Sequence, residues 1–268
     1  MPIPEEPAML SAAIETTSCF HGIDRSPARD ATADAHANQR ASRHVADTLR
    51  MLSDKLSPQR RVVHAGDVVY RAGEPFSNLY VLNAGFVKLV TSSADGREQV
   101  VSLKFRGDWL GFDGIAPAAY SCDAIAMDTG DVWVIRYDTL IATAVACPAL
   151  LTLLHEAMSR EIARDRDSLM SVCTLPAEAR VAEFLRCWAD TLAKRGLRSD
   201  EITLRMTRAE IGNYLGMTLE TVSRALSRLA RDKLIAFVEK GRRDLRIADV
   251  AALSRFVARS VSPAATLQ

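Results

Sequence analysis

From Arg61 to Arg136 the apolar positions come in short runs: VVHAGDVVYRAGE, LYVLNAGFVKLV, DGREQVVSLKFRGDWLGFDG and DVWVIRY. Gly66, Gly73, Gly85, Gly96 and Gly107 punctuate them. Strand-sized runs at close, regular spacing predict a compact β-sandwich or jelly roll. At Pro148 the period changes. Leu151, Leu154, Met158, Ile162, Asp165, Leu169 and Val172 follow one another at steps of three and four. That is one stripe along a long helix, with the spacing of a coiled-coil seam. Part of the stripe is expected to pack on the chain's own β domain. Pro176 interrupts the pattern, and PAEARVAEFLRCWADTLAKRG predicts a second helix, with proline in its first turn and Gly196 at its end.

After a short strand, EITLRM, the segment TRAEIGNYLGMTLETVSRALSRLARDKLI predicts two helices around a tight turn at Gly216. The spacing Gly212-x3-Gly216-x5-Val222 supplies what a helix-turn-helix needs. A small residue stands where the helices approach, a glycine makes the turn, and an apolar residue anchors the second helix. Thr207 and Thr218 stand where each helix should be capped. IAFVEKGRRDLRIAD then predicts a β-hairpin turning near Gly241 and Arg242, with a short helix from Val250.

The fold class is therefore α+β. A mobile N-terminal tail is expected over 1–44, with a short helix at Asp47–Lys55 inside a jelly-roll sensor domain over 45–147. A dimerisation helix over 148–175, a winged helix-turn-helix over 176–260 and a C-terminal tail over 261–268 complete the division.

Composition narrows the function. Apolar residues make up 48% of the 268, enough for real cores, and no apolar run approaches the length of a membrane span. The start, MPIPEEPAML, is acidic and has no apolar signal core, so a cytoplasmic protein is expected. The net charge of +1 hides an asymmetry: from Pro176 onward 17 basic residues face 11 acidic ones, whereas the first 175 residues carry 17 and 22. A basic C-terminal part suggests an anionic partner, and double-stranded DNA is the obvious one. Cys19, Cys122, Cys147, Cys173 and Cys187 form no CxxC and no zinc-ligand spacing. A jelly-roll metalloenzyme needs a cluster of His and Glu ligands, and the β region holds only His64. No enzyme is expected, and metal ligands and catalytic residues are none.

Glu220, Ser223 and Arg224 share one face of the second helix of the pair, near its N-terminus, opposite Val222, Leu226 and Leu229. In a helix-turn-helix that portion meets base edges in the major groove. Arg224 can donate two hydrogen bonds to guanine O6 and N7, Glu220 can accept from cytosine N4, and Ser223 can bond several bases. A Glu220–Arg224 ion pair is the plain alternative, and it would also hold Arg224 in place. Thr218, Thr221, Arg208, Arg228, Arg242 and Arg243 suit phosphate contacts, which set position without reading sequence. Asp165 on the apolar seam would lie near its twin in a parallel homodimer, and two half-buried carboxylates repel, so Asp165 is expected to make dimerisation conditional.

This layout, and specifically GDWLGFDGI, TRAEIGNYLG and ETVSRALSRL, resembles the Crp/Fnr family of bacterial transcription regulators over about Arg61 to Val257. The resemblance implies a β-roll sensor, a homodimer on an inverted repeat, and contacts with RNA polymerase through loops such as the Asn83–Gly85 turn. ETVSR is similar to the Fnr-type branch, with TTGAT-like half-sites and oxygen- or redox-related activation. The Glu and Arg that hold cyclic AMP in one branch fall here at Phe112 and near Tyr120, so no cyclic-AMP binding is expected. The oxygen-sensing branch holds a [4Fe–4S] cluster on four cysteines. Here the N-terminal segment offers Cys19 alone, and the fourth ligand's place falls at Trp133. The chain is thus similar to FixK-like proteins without the cluster, and no cofactor is expected. Haem through His64 or His21 and a redox role for Cys19 stay open, as does a ligand held in the β-roll pocket.

Overall fold

The computed structural model describes residues 31–93, 95–238 and 243–261. Its first element corrects the expected tail. Helix α1 spans Ala31–Leu56, beginning well before Asp47. The stretch ATADAHANQRAS is rich in alanine, the strongest helix former, and that propensity carries the helix back past the apolar anchors. Leu49 and Leu52 bury the C-terminal half of α1. Further back, Val45 lies against Gly107 and Ser42 against Gly196, so closely that a Cβ on either glycine would come within 2.6 Å. Residues 1–30, with Cys19 and His21, lie outside the described residues, as do the C-terminal tail from 262 and Arg242.

The jelly roll is built from β1 (Gln59–Val63), β2 (Val68–Tyr70), β3 (Asn78–Ala84), β4 (Val87–Ser92), β5 (Glu98–Lys104), β6 (Trp109–Leu110), β7 (Asp123–Ala126) and β8 (Gly130–Arg136). They form two antiparallel sheets, ordered β1-β8-β3-β6 and β2-β7-β4-β5. Along β3, Tyr80 and Leu82 join the core between the sheets, while Leu79 and Val81 join the core on the outer face. That is the two-residue alternation of a strand. Both faces are covered, which is why LYVL is an unbroken apolar run. Between the sheets Tyr70 stacks on Tyr120 with ring centroids 4.1 Å apart and on Tyr80 at 5.3 Å.

Helices α1, α2 (Tyr137–Ala146) and α3 (Pro148–Thr174) cover the outer face of the first sheet. Here one residue of the predicted seam changes sides. Leu154 is buried in the sensor's own core beside Leu150 and Ala157, so it has no surface left for a partner, and Met158 packs partly there too. The outer face of the second sheet carries Val90, Val100, Leu103 and Phe105, which share one core with the C-terminal domain.

That domain comprises α4 (Ala177–Ala193), β9 (Glu201–Thr203), α5 (Arg208–Leu215), α6 (Leu219–Arg231), β10 (Ala236–Phe237), β11 (Asp244–Arg246) and α7 (Val250–Val261). The three strands make a small sheet in the order β10-β11-β9, the wing of a winged helix-turn-helix. Pro176 caps α4 instead of standing in its first turn.

The joint between the parts is ionic as well as apolar. Asp108, buried in the turn after β5, accepts hydrogen bonds from Arg164 of α3 at 2.9 Å and from Arg195, beyond α4, at 2.7 Å. Burial alone would raise its carboxyl, but the two guanidinium charges outweigh that and hold it far below the usual range. Arg195 also donates to the Arg106 carbonyl at 2.7 Å. Lys104, 1% exposed, pairs with Glu161 of α3 at 2.6 Å.

Candidate nucleic-acid interface

The helix-turn-helix assembles from local rules. At the start of α5, Thr207 and Glu210 form a reciprocal capping box: the Thr207 hydroxyl accepts from the Glu210 N–H at 3.2 Å, and Glu210 accepts from the Thr207 N–H at 2.7 Å. Gly216 ends α5 in the left-handed conformation, φ 65°, which suits glycine. Gly212 is required by contact: a Cβ there would lie 2.5 Å from the Met217 carbonyl oxygen. Arg180 of α4 donates to the Leu215 carbonyl at 2.9 Å, placing a cation at the C-terminus of α5. Thr218 caps α6 by accepting from the Thr221 N–H at 3.3 Å.

Helix α6 then divides, with Leu219 in its first turn the exception, an exposed apolar residue. Val222, Ala225, Leu226 and Leu229 are buried. Glu220 and Arg224 are exposed on the other side, with Ser223 half-buried between them. The Glu220 carboxyl is held below its ordinary range by its own N–H at the helix start, next by the Thr218 hydroxyl, with the charge of Arg224 a lesser influence. The carboxylate thus turns mainly toward the helix N-terminus.

The residues expected at phosphates are placed less uniformly. Arg243 is exposed at the edge of the wing. The Arg208 guanidinium lies 5.9 Å from the ring centroid of Phe237 in β10. Arg228 donates to Glu178 of α4 at 3.0 Å and approaches Asp232 at 3.8 Å. Thr218 and Thr221 are engaged in the cap, with their hydroxyls 3.1 Å apart.

On α3 the rest of the stripe is unevenly used. Leu151, Ile162 and Leu169 are exposed, and Met170 joins them. Asp165 is exposed between Ile162 and Leu169, its carboxyl raised by partial desolvation against the pull of Lys104 and Arg164. Val172 is half-buried, facing a cleft beside α4.

Several functional contacts were not found from the sequence. Helix α5 is docked on the sensor: Lys88 of β4 pairs with Glu210, and the Asn213 side chain accepts from the Val100 N–H of β5 at 2.6 Å. Arg205 pairs with Asp128 at 2.7 Å. The one available signal was charge inside apolar runs, such as the lysines in FVKLV and SLKF. No helix among the described residues is long and apolar enough to cross a membrane.

Known proteins share this arrangement. A family described as a Crp-like helix-turn-helix domain matches residues 179–256, and one described as a cyclic nucleotide-binding domain matches residues 60–144. The transcriptional regulatory protein btr of Bordetella pertussis is 33% identical over 204 residues, which is 76% of this chain and 83% of the relative. The fumarate and nitrate reduction regulatory protein of Escherichia coli is 33% identical over 183 residues, 68% of this chain and 73% of the relative. Among solved structures, FixK2 of Bradyrhizobium japonicum superposes with a TM-score of 0.66 at 25% identity, covering 78% of this chain and 99% of that one.

Proposed function

This chain belongs to the Crp/Fnr family of DNA-binding transcription regulators, and on that footing we propose that it acts in the cytoplasm as a homodimeric activator of oxygen- or redox-related genes. It reads an inverted repeat of TTGAT-like half-sites with Glu220, Ser223 and Arg224, recruits RNA polymerase, and performs no catalysis. The observation that carries this reading is the division of α6, apolar residues buried within and Glu220 and Arg224 presented outside. Arg243, exposed at the edge of the wing, and Arg242, which lies outside the described residues, supply phosphate contacts that are blind to sequence.

The dimer rests on α3. Leu151, Ile162 and Leu169 leave an apolar strip exposed along one helix, with Met170 beside it, and a second copy would bury the strip. Asp165 in that strip makes association conditional, and Asp165→Ala is expected to tighten the dimer in analytical ultracentrifugation. The oxygen-related role is taken from relatives whose names specify anaerobic regulation and fumarate and nitrate reduction.

We infer that neither cyclic AMP nor the iron–sulfur cluster is held here. At the place of the ribose-binding Glu, Phe112 stacks on Trp109 with centroids 5.9 Å apart. At the place of the phosphate-binding Arg, the Tyr120 hydroxyl donates to the Asn78 carbonyl at 2.8 Å. Trp133, in the position of the fourth cluster ligand, is buried among Trp109 and Ile135. An indole offers no thiolate to iron, and the tyrosine stack fills the space between the sheets. These features favour control through abundance or through a ligand bound elsewhere.

Arg224→Ala tests the reading. It is expected to cost about 1–3 kcal/mol on the specific site and to relax one base preference. Equal loss on specific and random DNA would sink the assignment of α6 as the reading helix.

A further inference from the structure

We propose that the joint between the sensor, α3 and the DNA-binding domain is a binding site for a small apolar molecule, one aromatic ring in size with a hydrogen-bonding substituent, whose presence sets how firmly that domain is held. The second half of this proposal rests on the DNA-binding function above, and the first does not. The chain leaves a cleft of about 120 Å³ at this joint. Each part contributes a wall: Leu103 and Phe105 from the sensor, Val172 from α3, Phe184 and Trp188 from α4, and Leu215 from α5. The rings are arranged edge to face, Phe105 to Trp188 at 5.3 Å and Phe184 to Trp188 at 5.4 Å.

Protein interiors normally close gaps of this kind. This one stays open because α3 places Ser168 and Ser171 on the same face, three residues apart, where leucine-sized side chains would fill it. Those hydroxyls, with Thr191 opposite on α4, also supply the polar contacts that orient a ligand in an apolar site. An apolar cavity of about 150 Å³ takes up benzene, whereas a helix about 10 Å across would not enter. The size therefore points to a small molecule and not to a second copy of the chain. Between the sheets of the jelly roll, by contrast, Tyr70, Tyr80 and Tyr120 stack on one another.

A molecule seated there touches all three parts at once. It would act on the same contact surface as Asp108, Arg164 and Arg195, which tie those parts together. Occupancy then changes the freedom of α5 and α6 relative to the sensor, and so the affinity for DNA.

The test uses the full chain and phenol as the probe. Titration calorimetry on the protein alone should show saturable binding, one phenol per chain, and saturating phenol should change affinity for the specific DNA site about fivefold or more. Ser171→Leu, which fills the cleft, should abolish the binding and shift DNA affinity in the same direction without phenol. Thr191→Leu should behave alike, and it decides the matter if Ser171→Leu does not fold. Absence of saturable binding, or binding undiminished in the folded variants, overturns the site. Binding that leaves DNA affinity unchanged overturns the coupling. A wild-type protein that binds phenol but not specific DNA would overturn the proposed function and leave the site standing.

Discussion

Helices α3 and α6 are both amphipathic, but they finish their apolar faces in different places. In α6 the apolar residues beyond Leu219, which is exposed in the first turn, end inside the helix's own domain: Val222 and Leu229 are fully buried, and the rest of the outer face is polar and chemically varied. In α3 the apolar stripe is split. Leu150 and Leu154 are buried against the sensor, while Ile162 and Leu169 are 50% and 63% exposed. A helix that is complete within one chain is free to offer its polar face to another kind of molecule. A helix left with an apolar strip needs more of its own kind. On the proposed function, this difference would separate a reading element from an assembling one.

The largest effect should come from the tie between the settings of these two helices. Asp108→Ala would leave the Arg195 guanidinium buried without its carboxylate, and loss of one partner of a buried pair costs about 3–5 kcal/mol. Denaturant unfolding of the full chain measures it. Because the folded carboxyl lies below its ordinary value, the stabilisation is fully present above about pH 3.9 and is lost only as pH falls through the folded value. Asp108→Asn should therefore flatten the acid limb of the stability profile.

Next in size, Leu226→Ala should lower stability by about 2–5 kcal/mol, the usual cost of emptying a buried leucine site. Leu169→Ala, at dilutions where the chain is monomeric, should change stability by less than about 0.5 kcal/mol while weakening self-association measured by sedimentation. Equal costs for the two would break the comparison outright. The smallest effect is Arg243→Ala, which should weaken binding to all DNA alike and reduce the slope of log affinity against log salt by about 1.

The helix-turn-helix was legible because its determinants are local. A glycine at a close approach, a glycine in the left-handed turn and two threonine caps lie within Thr207–Thr218, and each acts on neighbours a few residues away. The jelly roll was legible as a class for the same reason, its strands being short and punctuated. The joint was not. Asp108 and Arg195 stand 87 residues apart, and in a sequence each reads as a solvated charge. The division of the α3 stripe was equally hidden, since Leu151 and Leu154 differ only in which way the helix faces. The start of α1 was hidden for a simpler reason. Its alanines and polar residues carry no apolar period, and alanine's propensity was the signal to weigh.

The seating of α1 has a consequence for how the protein can be shortened. A chain begun at Val45 would keep Leu49 and Leu52, and with them the floor of the sensor core. It would lose Ser42 from its place against Gly196, at the far side of the joint. Such a chain would be a sound sensor with a looser hinge. The first turns of α1 therefore act as an outrigger for the DNA-binding domain, and whatever bends or anchors the chain upstream has a mechanical route to it.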